Sequence, residues 1–521
     1  MAEGQEETEL KFDLDAAASD RLEQKLMLRS RAKTPPQPQT LVSTYYDTPG
    51  RDLHKAGFTL RIREGDGKRV QTVKSEAEGV ATRGEWETEL KAPGLDLKAA
   101  ARTPLQAVLR DLRGELSPVF ATTVQRTKRL IRQGSAKIEA AIDRGQIEAD
   151  GRSFAVCELE LELKAGRPCA LFDLARRLGD AAPLRLSFET KSQRGYRLVE
   201  GGQVGEALKG EQVRLKPGMT TRQAFQAIAA GALRQWVGNA AVLRAARRPE
   251  ALHQMRVALR RLRTALTLFE AVVADDAYRP LIAELEWLTG ELDSGRDIDV
   301  LIQETFRPAA ARFHGQPGLA GLGERLLKAR TRAYDRILAV LDQPRHMTLV
   351  LDAAEWIDNG RWAQADEALF AAKANIPIEQ TAAEGLDRLR RQIKRRGAGL
   401  RRLDPTSRHR LRIRAKRLRY ALEFFGGLYP RRKDERDAFL NTLRAMQDGL
   451  GALNDLEVAR HQGLALAEGG GRAAGDSDIE GAHQAFAAGM MLGARAVGEK
   501  PLLKAAAAHY DALIAAKPFW R

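Results

Sequence analysis

Glu7, Glu9 and Lys11, in the run Glu7-Thr8-Glu9-Leu10-Lys11, carry charge at every second residue. Residues two apart share one face of a strand, so two carboxylates and an ammonium point the same way. The pattern recurs with both signs. Arg61 and Arg63 alternate with Leu60 and Ile62, and Glu85, Glu87 and Glu89 alternate with Trp86, Thr88 and Leu90. Glu139, Ala141 and Asp143 form another row, and Glu158, Glu160 and Glu162 alternate with Leu159, Leu161 and Leu163. Lys74, Arg126, Lys128, Lys191 and Arg194 complete the basic set. Enclosing the carboxylates alone, or the cations alone, costs on the order of several kcal/mol per uncompensated ion. Together they suit a compartment for phosphates held with Mg²⁺ or Mn²⁺. Carboxylate oxygens are the donors that hard divalent ions prefer, and Arg and Lys neutralise the remaining phosphate oxygens. The competing reading of the same alternation is an antiparallel sheet with one wet, salt-bridged face.

Such rows need strands to carry them. Residues 1–200 read as strands separated by turns such as Asp47-Thr48-Pro49-Gly50 and Gly65-Asp66-Gly67, with helices at about 16–32, 103–113 and 170–180. Many strands with one apolar and one charged face suggest a closed sheet with a polar lumen. The Gly-rich segment 201–218, with Lys216-Pro217-Gly218, reads as a linker. From 219 to 521 apolar residues recur every three or four positions, the helical period. A loop is expected after Glu468, through Gly469-Gly470-Gly471 to Asp478.

The 521 residues allow about two to four domains with substantial cores. Charged residues at 30% and aromatics at 6% point to a soluble, helix-rich protein. No apolar window of about 18 residues exists, which argues against a membrane span. The acidic start Met1-Ala2-Glu3-Gly4-Gln5-Glu6 does not resemble a secretory signal. Cys157 and Cys169 are too few for a disulfide framework, so a reducing cytoplasm is expected. The eight histidines include no His-x-x-x-His pair, against a zinc hydrolase. The net charge of +16 is uneven: residues 1–200 hold 34 Lys/Arg and 31 Asp/Glu, the remainder 51 and 38. A basic excess in the second part predicts a polyanionic partner, whether nucleic acid, acidic membrane or polyphosphate.

The second part contains an internal repeat. His253, Arg256, Arg260 and Arg263 are matched by His409, Arg412, Lys416 and Arg419, both sets at i, i+3, i+7 and i+10. At helical spacing each set is one stripe. Downstream lie Leu292-Asp293-Ser294-Gly295-Arg296-Asp297-Ile298-Asp299 and Leu450-Gly451-Ala452-Leu453-Asn454-Asp455-Leu456-Glu457, 44 residues from His253 to Asp297 and 46 from His409 to Asp455. Two such copies suggest a duplicated bundle with pseudo-twofold symmetry. From Arg388 to Arg419 there are 15 Lys/Arg and one acid, Asp404, where a solvated face normally mixes signs. Asp297, Asp299, Asp455 and Glu457 are candidates for internal compensation. His253 and His409 could bind metal, hydrogen-bond phosphate or be buried and satisfied, and nothing nearby completes a metal site.

Glu7-Thr8-Glu9-Leu10-Lys11 resembles the Glu-x-Glu-x-Lys signature of the CYTH superfamily, the triphosphate tunnel metalloenzymes. Tyr45-Tyr46-Asp47-Thr48, Leu60-Arg61-Ile62-Arg63, Thr72-Val73-Lys74, Cys157-Glu158-Leu159-Glu160-Leu161-Glu162 and Lys191-Ser192-Gln193-Arg194-Gly195-Tyr196 follow in that family's order across about residues 1–200. The resemblance implies an eight-stranded antiparallel tunnel. Lys11, Arg61, Arg63, Lys74, Arg126, Lys128 and Arg194 would bind phosphate. Glu7, Glu9, Glu158 and Glu160 would hold one or two divalent ions, Mg²⁺ or Mn²⁺, with Glu85, Glu87, Glu139 and Asp143 binding metal or orienting water. Glu89, Glu162 and Lys191 could lie at the solvated mouth.

Members hydrolyse inorganic triphosphate or thiamine triphosphate, or cyclise ATP to cyclic AMP; chains with a helical second domain are most often linked to inorganic triphosphate. The duplicated His-x-x-Arg stripe, over about 217–521, resembles the CHAD domain, which implies binding of inorganic polyphosphate. Few aromatics accompany the stripes, with Tyr420 the main exception, and no nucleic-acid-binding signature appears, so polyphosphate fits better than nucleic acid. Salt-bridged arginines within a bundle are the structural alternative. The resulting expectation is an α+β chain: a tunnel over 1–200, a linker over 201–218 and an all-α duplicated bundle over 219–521. Its expected activity is metal-dependent inorganic triphosphatase, in the cytoplasm and near polyphosphate granules. Thiamine triphosphatase, an adenylate cyclase, and a non-catalytic polyphosphate- or nucleic-acid-binding protein stand as alternatives.

Overall fold

The protein is described by a computed structural model covering residues 5–29, 38–75, 80–112, 114–202, 205–316, 318–364, 372–470, 483, 486–490 and 499–521. The chain forms two compact units. The first comprises Met1–Leu208, Leu233–Ala246 and Leu341–Gln364; the second comprises Lys209–Ala232, Arg247–Val340 and Ala365–Arg521.

The strands of the first unit are β1 (Gln5–Asp13), β2 (Gln39–Asp47), β3 (Phe58–Gly65), β4 (Lys68–Ser75), β5 (Thr82–Glu89), β6 (Ser117–Gln133), β7 (Ala136–Ala149), β8 (Arg152–Ala165) and β9 (Arg185–Leu186). They pair antiparallel in the order β5-β4-β3-β2-β6-β7-β8-β1-β9, and an additional β1–β5 pairing joins the ends. Eight strands therefore close into a ring, with β9 added beside β1. The expected eight-stranded tunnel is present, with this short ninth strand as an addition. Closure depends on β1 changing neighbour midway: Gln5–Thr8 pair with β5, and Glu9–Asp13 pair with β8. A closed ring leaves no unpaired edge.

The alternation seen in sequence separates two environments. Leu10, Phe12, Leu60, Ile138, Ile142, Leu159 and Leu161 are buried. Helices α1 (Ala16–Arg29) and α2 (Cys169–Gly179) pack over β8 from outside. Burying one such side chain contributes roughly 1.5–3 kcal/mol, so the apolar rows fix which face turns outward and force the charged rows inward. Helix α3 (Lys191–Val199) seals the same unit against β6, β7 and β8. The helix expected at about 103–113 is a single turn, Gln106–Arg110, next to buried Leu105.

Naming only the longer helices, the remainder comprises α4 (Thr221–Ala246), α5 (Pro249–Val273), α6 (Tyr278–Val300), α7 (Leu319–Leu341), α8 (Pro344–Asn359), α9 (Ile378–Gly397), α10 (Pro405–Phe425), α11 (Lys433–Gly470) and α12 (Glu499–Ala515). The repeat is visible in its punctuation. Pro249 and Pro405 each open their helix, four residues before His253 and His409, where a fixed φ favours helix entry and no N–H is lost. The side chain of Asp404 caps α10 by accepting the Ser407 N–H at 2.9 Å. Gly295 on α6 permits close packing, since a Cβ there would meet Ile337 at 2.5 Å and Leu252 at 3.0 Å. Helix α11 continues through Gly470, so the loop expected after Glu468 falls, beyond that point, outside the described residues. Among the described residues no helix is long and apolar enough to cross a membrane.

Candidate functional site

The strand register stacks the charged rows in levels. Along β8, Glu158 lies opposite Asp143 of β7 and Asp13 of β1; Glu160 opposite Ala141 and Lys11; Glu162 opposite Glu139 and Glu9. On β6, Arg126 lies opposite Asp143 and Lys128 opposite Ala141. Across the ring, Lys74 lies between Thr59 and Glu85, and Tyr45 lies opposite Arg61. The result is a cavity of about 730 Å³. Its walls carry Glu7, Glu9, Glu85, Glu87, Glu139, Glu160 and Glu162, and Lys11, Arg61, Arg63, Lys74, Arg126, Lys128, Lys164 and Lys191. Carboxylates and cations thus line one polar space rather than an open wet face.

Ion pairs link these groups to one another. Lys74 Nζ is 2.9 Å from both Glu7 and Glu85, and Lys128 is 2.8 Å from Glu139. Arg126 donates through Nε and Nη2 to the two oxygens of Asp143, each at 2.6 Å, and through Nη2 to Glu160 at 2.6 Å. Lys191 donates to Glu160 at 3.0 Å and to Glu158, and lies 2.6 Å from Asp143. Asp143 and Glu158 are fully buried. Burial would raise the pKa of Asp143 and Glu160, but Lys191 and Arg126 outweigh it; Asp143 is held below, and Glu160 well below, its ordinary range. Glu85 moves the other way: burial raises it, and Glu7 adds to the rise against the opposing Lys74.

The basic wall is crowded. Arg63 is pushed down to about 10, first by Arg61, then by burial and Arg126, so it remains charged at neutral pH. Its Nε has no hydrogen-bond partner among the described residues. Burial also lowers Lys11, with Glu158 opposing and Arg194 adding to the effect. Clustered guanidinium groups repel one another, and an anion between them removes that cost.

Asp143, Glu158 and Glu160 each bring an oxygen within 4.8 Å of the others, forming the one such grouping of His, Cys, Asp and Glu among the described residues. All-oxygen donors of this hardness fit Mg²⁺ or Mn²⁺. The Lys191 ammonium bonds to the same three groups and supplies their countercharge.

Most of the residues singled out in sequence meet here, with informative exceptions. Glu7, Glu9, Lys11, Arg61, Arg63, Lys74, Glu85, Glu87, Arg126, Lys128, Glu139 and Glu160 line the cavity. Asp143 and Glu158 lie behind its surface, bound by Arg126 and Lys191. Arg194 also lies behind it, donating to Asp13 at 2.5 Å and to Ser187 at 3.3 Å. Lys191 is not at a solvated mouth; it is largely buried among three carboxylates. The reason is that residues 191–199 are helical, not extended. A capping box begins that helix: Thr190 accepts the Gln193 N–H, and Gln193 accepts the Thr190 N–H. The Thr-x-x-Gln spacing was a legible signal for it. Gly195 lets the helix approach β6, because a Cβ there would lie 2.2 Å from the Phe120 ring. Tyr45, Lys164 and Ser192 also line the cavity without having been singled out individually.

The second unit assembles a different constellation. Helices α5 and α10 are neighbours, with Arg261 stacked over Phe424 at 5.4 Å and 4.0 Å from Glu423. Their stripes meet: burial lowers both Arg412 and Lys416, and Arg260 lies near enough to lower them further. Lys416 falls to about 6, from burial first and then from Arg260, Arg412 and Arg419. His253 falls to about 4 through burial, then Arg296, so its imidazole is neutral at pH 7. His409 Nδ1 contacts Asn454. Compensation is partial: Arg256 pairs with Asp293 at 2.6 Å, Arg263 with Glu286 at 2.5 Å, and Arg412 with Asp455 at 3.9 Å. Asp299, a candidate for that role, is instead bound by Arg330 at 2.7 Å and Tyr334 at 2.6 Å.

Comparison with known proteins assigns these two parts to families. Residues 5–196 match the CYTH domain and residues 227–462 the CHAD domain. The chain therefore carries a CYTH domain followed by a CHAD domain. Among curated proteins it is similar to an inorganic triphosphatase of Haemophilus influenzae, 33% identical over 168 residues, which are 30% of this chain and 46% of that protein. The match thus spans about half the length of that relative. Among solved structures it is similar to the CHAD domain from the plant Ricinus communis, at 32% identity and a TM-score of 0.50, covering 59% of this chain and 97% of that one.

Proposed function

We propose that the tunnel hydrolyses inorganic triphosphate with Mg²⁺ or Mn²⁺, and that the basic helical domain binds inorganic polyphosphate. The observation that carries the first part is the cavity itself, where seven glutamates face eight lysines and arginines. Phosphoryl transfer asks a protein chiefly for positioning and charge neutralisation. In this reading Lys11, Arg61, Arg63, Lys74, Arg126 and Lys128 neutralise and align the phosphate chain, and Arg194 acts from behind the wall through Asp13 and Glu158. Glu7, Glu9, Glu158 and Glu160, with Asp143 and Glu139, are the residues that would hold the ion. A bound divalent ion would supply further charge neutralisation and make a coordinated water more acidic. Glu85 and Glu87 orient the attacking water. Its oxygen bonds to the terminal phosphorus, the phosphoanhydride bond breaks, and phosphate and pyrophosphate leave. The raised affinity of Glu85 for protons suits it to hold the proton that water loses.

The Haemophilus relative's name supports inorganic triphosphate, as does the presence of a single aromatic, Tyr45, among the described lining residues. The polyphosphate reading is supported by two facing basic stripes with incomplete internal compensation. Binding there would keep the tunnel near a polymer whose short products it hydrolyses, raising local substrate concentration without new catalytic contacts. Cys157 and Cys169, both free thiols, support a reducing cytoplasm. The test is phosphate release from inorganic triphosphate, thiamine triphosphate, ATP and long-chain polyphosphate with Mg²⁺ or Mn²⁺, beside Glu9→Gln. Release from inorganic triphosphate, lost in the variant, is expected. Pyrophosphate from ATP would favour a cyclase, and no release from any of them a binding protein.

A further inference from the structure

The tunnel ring closes where β1 exchanges β5 for β8, and that junction carries a contact from far along the chain. Glu9, a candidate ion-holding residue, donates its backbone N–H to the Ala81 carbonyl at 2.9 Å. Val80 and Ala81, immediately before β5, are buried. Among the described residues their backbone N–H groups have no partner within the sheet. Both are accepted by one carboxylate, Asp358 on the last turn of α8, at 3.0 Å and 3.2 Å. Asp358 is itself held firmly. The Trp362 indole N–H donates to the Trp356 carbonyl at 3.0 Å, and the two rings lie 5.6 Å apart, fixing the end of α8. Elsewhere along α8, Asp352 and Glu355 accept from Arg176 of α2 at 2.7 Å and 2.6 Å. Helix α8 belongs to the first compact unit although it falls within the stretch matched by the CHAD family.

We infer that Asp358 is a positioning residue for the tunnel site, clamping the seam at which β1 and β5 close the ring and so fixing Glu9 on one strand and Glu85 on the other. A charged acceptor holding two adjacent N–H groups is strong and directional, and a buried N–H left without it must find another acceptor or open the strand end. Glu9 follows because its own amide bonds to the clamped residue. Glu85 follows because it stands on β5, four residues beyond Ala81, which leads directly into that strand. The catalytic side of this inference rests on the hydrolase reading; the structural side does not.

The test uses the full chain with Asp358→Ala, Asp358→Asn and Arg176→Ala, reading both amide hydrogen exchange and triphosphate hydrolysis. Asp358→Ala is expected to lower protection at least about tenfold in peptides covering β1 and the start of β5, leaving other strands protected. It should also lower kcat about tenfold with KM within about twofold, since a misplaced group costs rate more than binding. Asp358→Asn keeps one oxygen acceptor and should recover part of both. Arg176→Ala, which releases α8 from α2 but not from the seam, should change neither. Wild-type protection and kcat in Asp358→Ala would overturn the inference, as would an equal loss in Arg176→Ala. If Asp358→Ala fails to fold, wild-type behaviour in Asp358→Asn overturns it, and a loss confined to β1 and β5 supports it. A wild-type chain that hydrolyses nothing, with protection still lost in Asp358→Ala, would remove the hydrolase reading and leave the clamp standing.

Discussion

The tunnel and the helical stripes are both dense in charge, yet they manage it in opposite ways. In the tunnel most cations meet a carboxylate: Lys74 has Glu7 and Glu85, Arg126 has Asp143 and Glu160, and Lys191 has three partners. Mutual pairing holds Asp143 and Glu160 ionised in a buried place. On the facing stripes of α5 and α10 Arg256 and Arg263 have close acids but Arg412 meets Asp455 only at 3.9 Å, and burial, with the neighbouring cations, keeps Lys416 and His253 largely neutral. One region is largely neutralised before any ligand arrives, with Arg63, crowded by Arg61, left for an anion. The other defers neutralisation until an anion is present. A mixed-sign site can seat phosphates together with a cation and do chemistry, whereas a single-sign site can bind a polyanion but offers little to act on it.

That contrast can be broken at the tunnel first. Glu9→Gln removes a candidate ion-holding carboxylate and should lower phosphate release from inorganic triphosphate about 100-fold, with polyphosphate binding unchanged, as read by phosphate assay and titration calorimetry. Arg126→Met strips Asp143 of a buried partner, and breaking such a pair costs roughly 3–5 kcal/mol. Thermal unfolding should therefore drop by many degrees, far more than for Arg263→Met, whose pair with Glu286 is largely exposed.

These outcomes bear on how much could be read in advance. The alternation of Glu7, Glu9, Lys11, Arg61, Arg63, Glu85, Glu87, Glu139 and Glu160 was sufficient to assemble the cavity wall, because a strand's period of two is rigid and the buried leucines set its sense. Lys191, expected at a solvated mouth, instead opens a helix that the Thr190-x-x-Gln193 capping box could have announced, and Arg194 lies on that helix behind the cavity wall. The β1–β5 closure and the Asp358 contact left no local trace, since both join residues that only the folded ring brings together. On the helical side the i, i+3, i+7, i+10 spacing identified the stripes. It did not identify Asp293 as the acid facing Arg256, nor that Asp299 turns to Arg330 and Tyr334.

The stripes offer a finer way to sharpen the comparison. Lys416, at about 6 without ligand, is mostly neutral at pH 7.5, and a bound polyanion raises its pKa. Binding of polyphosphate should therefore take up protons and weaken as pH rises from about 6 to 9. Calorimetry in two buffers of different ionisation enthalpy reads this uptake, and Lys416→Met should abolish it. Identical enthalpies in both buffers for the unmodified chain would mean that the stripe is charged throughout, as the tunnel is.

In the proposed division of labour one region transforms its ligand and the other holds it. The most direct measurement compares the full chain with the double variant Arg256→Ala/Arg412→Ala, following polyphosphate affinity and inorganic triphosphate turnover in the same preparations. The double variant should lose at least about tenfold in polyphosphate affinity, from removal of two charge-assisted contacts, with turnover unchanged. Loss of turnover on soluble triphosphate, with polyphosphate affinity intact, would contradict that division.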